Sequence, residues 1–414
     1  MSQVEELIKK LNKEYGENII SYGVTNENFK KIKRIPFSSP RANYMTYGGL
    51  PRGRLIEFAG AESSGKTTTS LDIVANAQII FKQEYDEILK QAENIKSLSA
   101  SARDKLQNRL QLGCQKVLYI DAENTLDLAW AEMLGVDLDD IYLYSPQRQC
   151  AEEIFEDCYN LVKTGEIGLC VLDSLGVLLS GQAYEKSLEE KTYAGISKPL
   201  TTFSNKIAPL CAEFDTTFIG INQVRDNLNS PYGGLVTTGG RGWKHNCSVR
   251  IMFRKGDFVN DLGESIKKSS ENPCGNKVEM DIQKSKSFRS DRRIGYYTLN
   301  YLEGVEVTQD LFEIAIKYDY IKKGGAWYTF KDPITGEDLY DEEGNLIKLQ
   351  GARKVLQRLD EDPDIRTRIE DAINRLINDF DNIEAHSAEN IQEEVEIEHI
   401  FNKVGEENSE IKEF

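Results

Sequence analysis

The chain has 414 residues, 40% of them apolar, with 51 basic and 68 acidic side chains and a formal net charge of −17. Such a length excludes one small core and predicts two domains with appendages, and no apolar run approaches the roughly 18 residues of a membrane span. The acidity argues against a nucleic-acid partner until it is located: residues 379–414 hold 12 acidic side chains against Lys403 and Lys412, a net of −10, so the preceding 378 residues carry only −7.

Residues 1–33 open with MSQVEELIKKLNKEYG, a charged helix with Val4, Leu7, Ile8 and Leu11 on one face rather than a signal peptide, followed by ENIISYG, an expected strand. A helix this short needs a surface to dock on, and a neighbouring subunit would supply one. GGLPRGR (48–54) is a turn feeding RLIEFA, an apolar, β-rich run that reads as a strand. Next comes Gly60-Ala61-Glu62-Ser63-Ser64-Gly65-Lys66-Thr67-Thr68, with the spacing of a phosphate-binding loop, and then a segment with Leu71, Val74 and Ala75 at helical spacing. Strand, loop and helix in that order are the context the motif needs: the glycines let backbone N–H groups curl around a β-phosphate, Lys66 reaches the terminal oxygens, and the Thr67 hydroxyl coordinates Mg²⁺.

Residues 82–115 are long for a connection, and their charged, helical pattern reads as an inserted helical hairpin on the surface. The runs KVLYID (116–121), IGLCVLD (167–173) and TTFIGINQ (216–223) then alternate with helix-like segments, which predicts a parallel sheet covered on both faces. Ligands of such sheets sit at the carboxyl ends of the strands, so Asp121, Glu123, Asp173, Asn222 and Gln223 are expected to converge there. Glu123, read as lying on a strand next to the loop strand, is suited to orient or deprotonate a water in line with a γ-phosphate, and Asp173 takes the Walker B role of holding Mg²⁺ through water. Neither a kinase acceptor pocket nor a GTPase base reader is evident, which leaves ATP hydrolysis. The seven cysteines (114, 150, 158, 170, 211, 247 and 274) lack CxxC spacing and read as reduced core residues of a cytosolic protein. From about 307 the pattern becomes a smaller α/β unit: LFEIAIKYDYI as a helix, GAWYTF, a hairpin in ITGEDLYDEEGNLI, and two helices through Leu376.

GGLPRGRLIEFAGAESSGKTT, YIDAENTLD, VLDSLGVL, INQVR with TTGG after it, and GGAWY together resemble the bacterial RecA recombinase family, in its order and close to its spacings, from about residue 5 to about 378. The insertion at 82–115 is the largest departure. The resemblance implies an α/β fold: a RecA-like P-loop ATPase core (34–306) with a mainly parallel twisted sheet flanked by helices. It adds an N-terminal helix–strand oligomerisation element (1–33), a small C-terminal α/β domain (307–378) and an acidic tail (379–414). It implies ATP and Mg²⁺ as cofactors, Glu123 as the catalytic glutamate, Lys66 and Thr67 as the phosphate-loop pair, and Gln223 as the γ-phosphate sensor. Asp127 falls on an adenine-binding Asp, Trp130 on a stacking Tyr, and Tyr301 on a second nucleotide-proximal aromatic. Lys284 and Lys286 fall on lysines that reach a neighbouring subunit's γ-phosphate.

Segments 180–198 and 224–242 resemble the family's two DNA loops. Lys198, Lys206, Arg225 and Arg241 would contact DNA there, and Leu228 would be a wedge between base groups; taken alone, either segment could be only a surface loop. Pro199 stands where the family has a DNA-contacting Arg. The implied partners are single-stranded DNA, homologous duplex DNA, further copies of the chain in a helical filament, and single-stranded-DNA-binding or mediator proteins, in the cytoplasm. Rival readings are a ring-forming, helicase-like motor on the same core, and a regulatory filament protein that exchanges no strands. The tail reads as a solvating appendage or as a competitor with DNA phosphates for a basic groove.

Overall fold

The computed structural model describes residues 3–15, 20, 32–185, 195–226, 235–267 and 272–377. The expected strand ENIISYG, apart from Ile20, the wedge residue Leu228 and everything beyond 377 lie outside the described residues.

Helix α1 (Gln3–Tyr15) leaves Val4 and Leu7 more than half exposed. Strand β1 (Arg34–Ile35) leads to α2 (Pro40–Met45), whose Ser39 side chain caps the Ala42 amide and whose proline sits in the first turn, where no N–H is needed. Strand β2 (Leu50–Pro51) pairs with β1 and leads to β3 (Leu55–Gly60), buried along its whole length. The phosphate-binding loop then opens α3 (Lys66–Glu93), followed by α4 (Ala100–Leu112), β4 (Lys116–Asp121), α5 (Leu128–Met133) and β5 (Ile141–Tyr144). Helix α6 (Ala151–Lys163), β6 (Ile167–Asp173), α7 (Gly181–Tyr184), α8 (Ser197–Phe214) and β7 (Thr217–Asp226) continue the alternation. The rest of the core is β8 (Leu235–Thr237), α9 (Gly240–Asn246), β9 (Val249–Val259), β10 (Ser265–Ile266), β11 (Gly275–Ser285), β12 (Ile294–Asn300) and β13 (Gly304–Val305).

The main sheet runs β13-β12-β11-β9-β3-β7-β6-β4-β5, with β10 on β9 and β8 on β7. From β9 to β5 every pairing is parallel; β11, β12 and β13 extend it antiparallel. Successive strand residues point to opposite faces, so Ile56 and Phe58 join Leu71, Val74 and Phe81 under α3, while Leu55 joins Phe218, Cys170 and Trp243 under α6, α8 and α9.

The insertion differs in detail from the expected hairpin. Helix α3 runs unbroken for 28 residues because neither Gly nor Pro interrupts 66–93, so the first arm is the phosphate-loop helix itself and α4 is the returning arm. Its root is pinned by Arg52, which donates at 2.9 Å to both Glu84 oxygens and at 2.7 Å to Gln115 Oε1.

The C-terminal unit comprises α10 (Val307–Lys317), β14 (Ile321–Gly324), β15 (Trp327–Phe330), β16 (Lys348–Gln350), α11 (Ala352–Glu361) and a helix over 363–377. Helix α10 stops four residues before the expected Ile321, because Asp319 adopts a left-handed φ of 59° and turns the chain into β14. ITGEDLYDEEGNLI turns back on itself as expected, though only through an isolated antiparallel bridge, Tyr340 to Leu346, flanked by Ile347 N to the Leu339 carbonyl at 2.9 Å. Leu311, Phe330, Val355, Leu359 and Ile369 give this unit a core of its own.

Candidate nucleotide and nucleic-acid site

The loop from Gly60 to Thr68 joins the carboxyl end of β3 to the N-terminus of α3. A Cβ on Gly60 would lie 2.5 Å from the Phe253 carbonyl oxygen, and Gly65 has a φ of +92° with Val278 2.9 Å from a built Cβ. Only glycine fits both places. Ala61, Glu62, Ser63 and Thr67 are exposed, Gly65 and Thr68 half-buried, Ser64 and Lys66 buried. Lys66 Nζ folds back into the loop and donates to the Ala61 carbonyl at 2.6 Å. Burial lowers the Lys66 pKa from its ordinary value, against the opposing pull of Asp173, Glu123 and Glu62. A cradle of amides, a helix N-terminus and an ammonium inside it fit a polyphosphate.

Asp173, at the end of β6, accepts the Thr67 hydroxyl on Oδ2 at 2.8 Å and the Tyr119 hydroxyl on the same oxygen at 3.0 Å. Burial raises its pKa, and the two hydroxyl donors oppose that rise. A hydroxyl and a carboxylate in contact beside a phosphate cradle are the hard oxygen donors that Mg²⁺ takes.

Glu123 reaches this place by a route that differs from the sequence expectation. Its strand, β4, is not next to β3: β7 and β6 lie between them. The turn after β4 brings it back, with Ala122 N bonded to the Asp173 carbonyl at 2.7 Å and the Asp121 carboxylate accepting the Thr125 and Leu126 amides at 3.3 and 3.0 Å. Glu123 Oε1 then accepts from Gln223 Nε2 at 3.0 Å and from the Ser174 hydroxyl. Glu123, Asp173 and Gln223 therefore come together with the loop. Asp121 and Asn222 do not join them. Asp121 is spent on shaping the turn; Asn222, one residue from Gln223, faces the other side and is fully buried, donating to Glu57 and to the Thr238 carbonyl at 2.8 and 2.9 Å.

Asp127 caps α5, its carboxylate accepting the Trp130 amide at 3.2 Å, and Trp130 packs half-buried on the core. Tyr301 lies on the turn between β12 and β13, which abuts Leu134 just beyond α5, and its hydroxyl donates to Asn276 at 2.9 Å. At the lysine pair β11 is bonded on one side only: its pairing with β12 ends at Asp281, while Lys284 and Ser285 pair with Arg250 and Val249 of β9. Lys284 Nζ donates to the Lys244 and His245 carbonyls at 2.8 and 2.7 Å, and Lys286 Nζ to the His245 carbonyl at 3.0 Å. Both cations thus sit on the C-terminal carbonyls of α9, where the helix dipole favours positive charge.

The RecA N-terminal domain family model matches residues 2–84 and 102–305, more than half of the chain. The chain belongs to the RecA family. Membership places it among DNA recombination and repair proteins. Protein RecA of Fusobacterium nucleatum is 27% identical over 376 residues, covering 90% of this chain and 84% of its own length. Protein RecA of Phytoplasma mali is 28% identical over 360 residues, 86% and 93% of the two chains, and that of Staphylococcus epidermidis 26% over 380 residues, 91% and 92%. The family match breaks at 85–101, inside the α3–α4 hairpin.

In this RecA relative the segments resembling DNA loops are partly regular. Strand β7 continues past the expected Gln223 to Asp226 and pairs with β8, so Arg225 is exposed on a two-stranded ribbon whose root is Gln223; it donates to the Gly176 carbonyl at 3.4 Å. Arg241 is exposed in the first turn of α9. Lys198 and Lys206 are exposed on α8, two turns apart, on the rim of a cavity of about 670 Å³ between α6 and α8. Sequence reasoning missed Ser174, Tyr119 and the buried Glu57, which accepts from Asn222, Trp243 and Arg250 and ties β3 to the elements flanking the ribbon.

Proposed function

We propose that this protein is an ATP-dependent recombinase that assembles head to tail on single-stranded DNA, pairs it with homologous duplex and exchanges strands, with DNA-stimulated ATP hydrolysis. The observation that carries the reading is the Glu123–Gln223 hydrogen bond at 3.0 Å, because Gln223 is also the root residue of the β7–β8 ribbon. ATP is the substrate whose terminal phosphoanhydride water would cleave to ADP and phosphate, and Mg²⁺ would neutralise the phosphate charge without being consumed. Lys66 would turn from the Ala61 carbonyl to the phosphates, Thr67 and Asp173 would hold the metal, and Glu123 would take the proton of an attacking water. Gln223 exchanges its bond to Glu123 for one to the terminal phosphate, which moves the ribbon and the DNA loop it supports. Asp127, Trp130 and Tyr301 hold the base, with Trp130 offering a broad π face.

Assembly is supported by two uncovered surfaces. The apolar face of α1 lies open, with Val4 and Leu7 exposed, and β5 is a sheet edge with Tyr142 and Leu143 about half exposed. Docking of residues 1–33 on a neighbour's core would cover the helix and give an open helical array. Lys284 and Lys286 would leave the α9 carbonyls to reach the neighbour's phosphates. Single-stranded DNA would follow Lys198, Lys206, Arg225 and Arg241, with Leu228 between base groups. Duplex would approach the C-terminal sheet, where Lys322, Lys323 and Trp327 are exposed and Lys348 lies 5.4 Å over the Trp327 ring. On this reading 34–306 is the motor core, 307–378 a duplex-approach unit and 379–414 an acidic tail, in a cytoplasmic protein.

The test is ATPase activity with and without single-stranded DNA, in the wild type and Glu123→Gln, alongside a joint-molecule assay with homologous and heterologous duplex. Stimulation by DNA, its loss in the variant by 10²–10⁴-fold on the scale of a general base, and homology-dependent joints are expected. A chain that stays monomeric with ATP, Mg²⁺ and oligonucleotide all present would defeat the proposal.

A further inference from the structure

Tyr119 sits in the middle of β4 and is 1% exposed. A phenol enclosed this far needs a partner for its hydroxyl, and here the partner is Asp173 Oδ2, at 3.0 Å. Thr67 also donates to Asp173 Oδ2, at 2.8 Å. Tyr119 from β4 and Thr67 from α3 thus converge on Asp173 at the end of β6. Both donors load one carboxylate oxygen, and among the described residues no group donates to Oδ1.

We infer that Tyr119 is a positioning residue for the divalent cation: its hydroxyl, with that of Thr67, pins Asp173 through Oδ2 and keeps Oδ1 as the oxygen available to the metal. The inference deepens the ATPase reading and rests on it. Packing alone does not account for the hydroxyl, since phenylalanine would fill the same space in the sheet. Without the phenol, Asp173 keeps a single donor, and a carboxylate held at one point can rotate about its Cβ–Cγ bond. Groups that orient a metal ligand from behind typically change metal affinity by about 10–100-fold when removed.

Nucleotide and metal binding separate this role from a structural one. ADP affinity is measured by fluorescence with a labelled ADP, first in EDTA and then across a Mg²⁺ titration, and Mn²⁺ occupancy is read directly by electron paramagnetic resonance in the presence of ADP. For Tyr119→Phe we expect unchanged affinity in EDTA and a half-saturating Mn²⁺ or Mg²⁺ concentration raised about tenfold. A Tyr119→Phe metal midpoint equal to the wild type would overturn the inference, as would a Tyr119→Phe protein that loses nucleotide equally with and without metal. If the wild type itself gains no nucleotide affinity from either cation, the ATPase reading has failed instead, and the two outcomes cannot be confused.

Discussion

Replacing Asp310 by Asn is expected to flatten the dependence of stability on pH. Asp310 lies in α10, fully buried, and accepts the Ser39 hydroxyl on one oxygen and the Thr298 amide on the other at 3.0 Å. It therefore joins the C-terminal unit to α2 and to β12 in a single carboxylate. Burial pushes its pKa from 3.8 up to about 7, against the opposing help of Ser39, Arg41 and Thr298. Between those two values the folded chain keeps a proton that the unfolded chain releases. The stability this confers is full below about pH 4 and lost as pH rises through 7. A difference of about three pH units corresponds to about 4 kcal/mol. Asparagine preserves the shape: its oxygen can accept from Thr298 while its NH₂ donates to the Ser39 hydroxyl, which rotates to receive it. Urea unfolding of both proteins between pH 5 and 8.5 is the assay. The variant is expected to gain on the wild type most steeply at the acid end, near pH 5–6, and to level off above pH 7, for a total of about 3 kcal/mol over the range measured. Parallel stability curves would refute the reasoning, because they would mean that the carboxylate ionises in the folded protein without penalty.

Gly65→Val should abolish nucleotide binding while leaving the fold intact, since the left-handed φ and the closeness of Val278 both oppose any side chain; binding within a factor of a few of wild type would contradict the cradle. Lys322→Ala with Lys323→Ala should reduce the slope of log K for duplex DNA against log salt by about 2, one for each phosphate no longer neutralised; an unaltered slope would move the duplex surface elsewhere. Deleting residues 379–414 is expected to tighten duplex binding by removing a net charge of −10, and equal affinities would leave the tail a solvating appendage. Arg52→Ala should cost about 1–3 kcal/mol, since Gln115 loses its donor while Glu84 keeps Lys33 at 2.9 Å, measured by denaturant unfolding, with ATPase activity per folded molecule kept.

What is legible in the sequence is whatever depends on neighbours along the chain. The phosphate loop announces itself through two glycines whose backbone must be bare, and four of the parallel strands through short apolar runs ending in polar residues, while β5 and β9 go unread. The order of those strands is a property of long-range pairing, so sequence reasoning sets Glu123 beside the wrong strand even though it reads the loop itself correctly. Side chains one position apart on a strand end, such as Asn222 and Gln223, look alike in sequence and separate only when the pleat sends them to opposite faces. Tyr119 hides inside an apolar run where an aromatic needs no explanation. The bonds from Lys284 and Lys286 to α9 carbonyls have no signal at all, since a backbone acceptor leaves no trace in residue identity. Helix α10 reads too long in the sequence because Tyr318 and Tyr320 continue an apolar pattern that only the backbone of Asp319 interrupts.

The length of α3 also offers a practical handle. Its 28 residues advance about 1.5 Å each, so the crossing to α4 lies about 40 Å along the axis from Lys66. That crossing falls within the stretch the family model leaves unmatched, at the far end of a rod whose near end grips the phosphates. A fluorophore or affinity handle grafted between Glu93 and Ala100 would ride on a stiff mast, able to report the orientation of each copy while standing clear of the catalytic machinery.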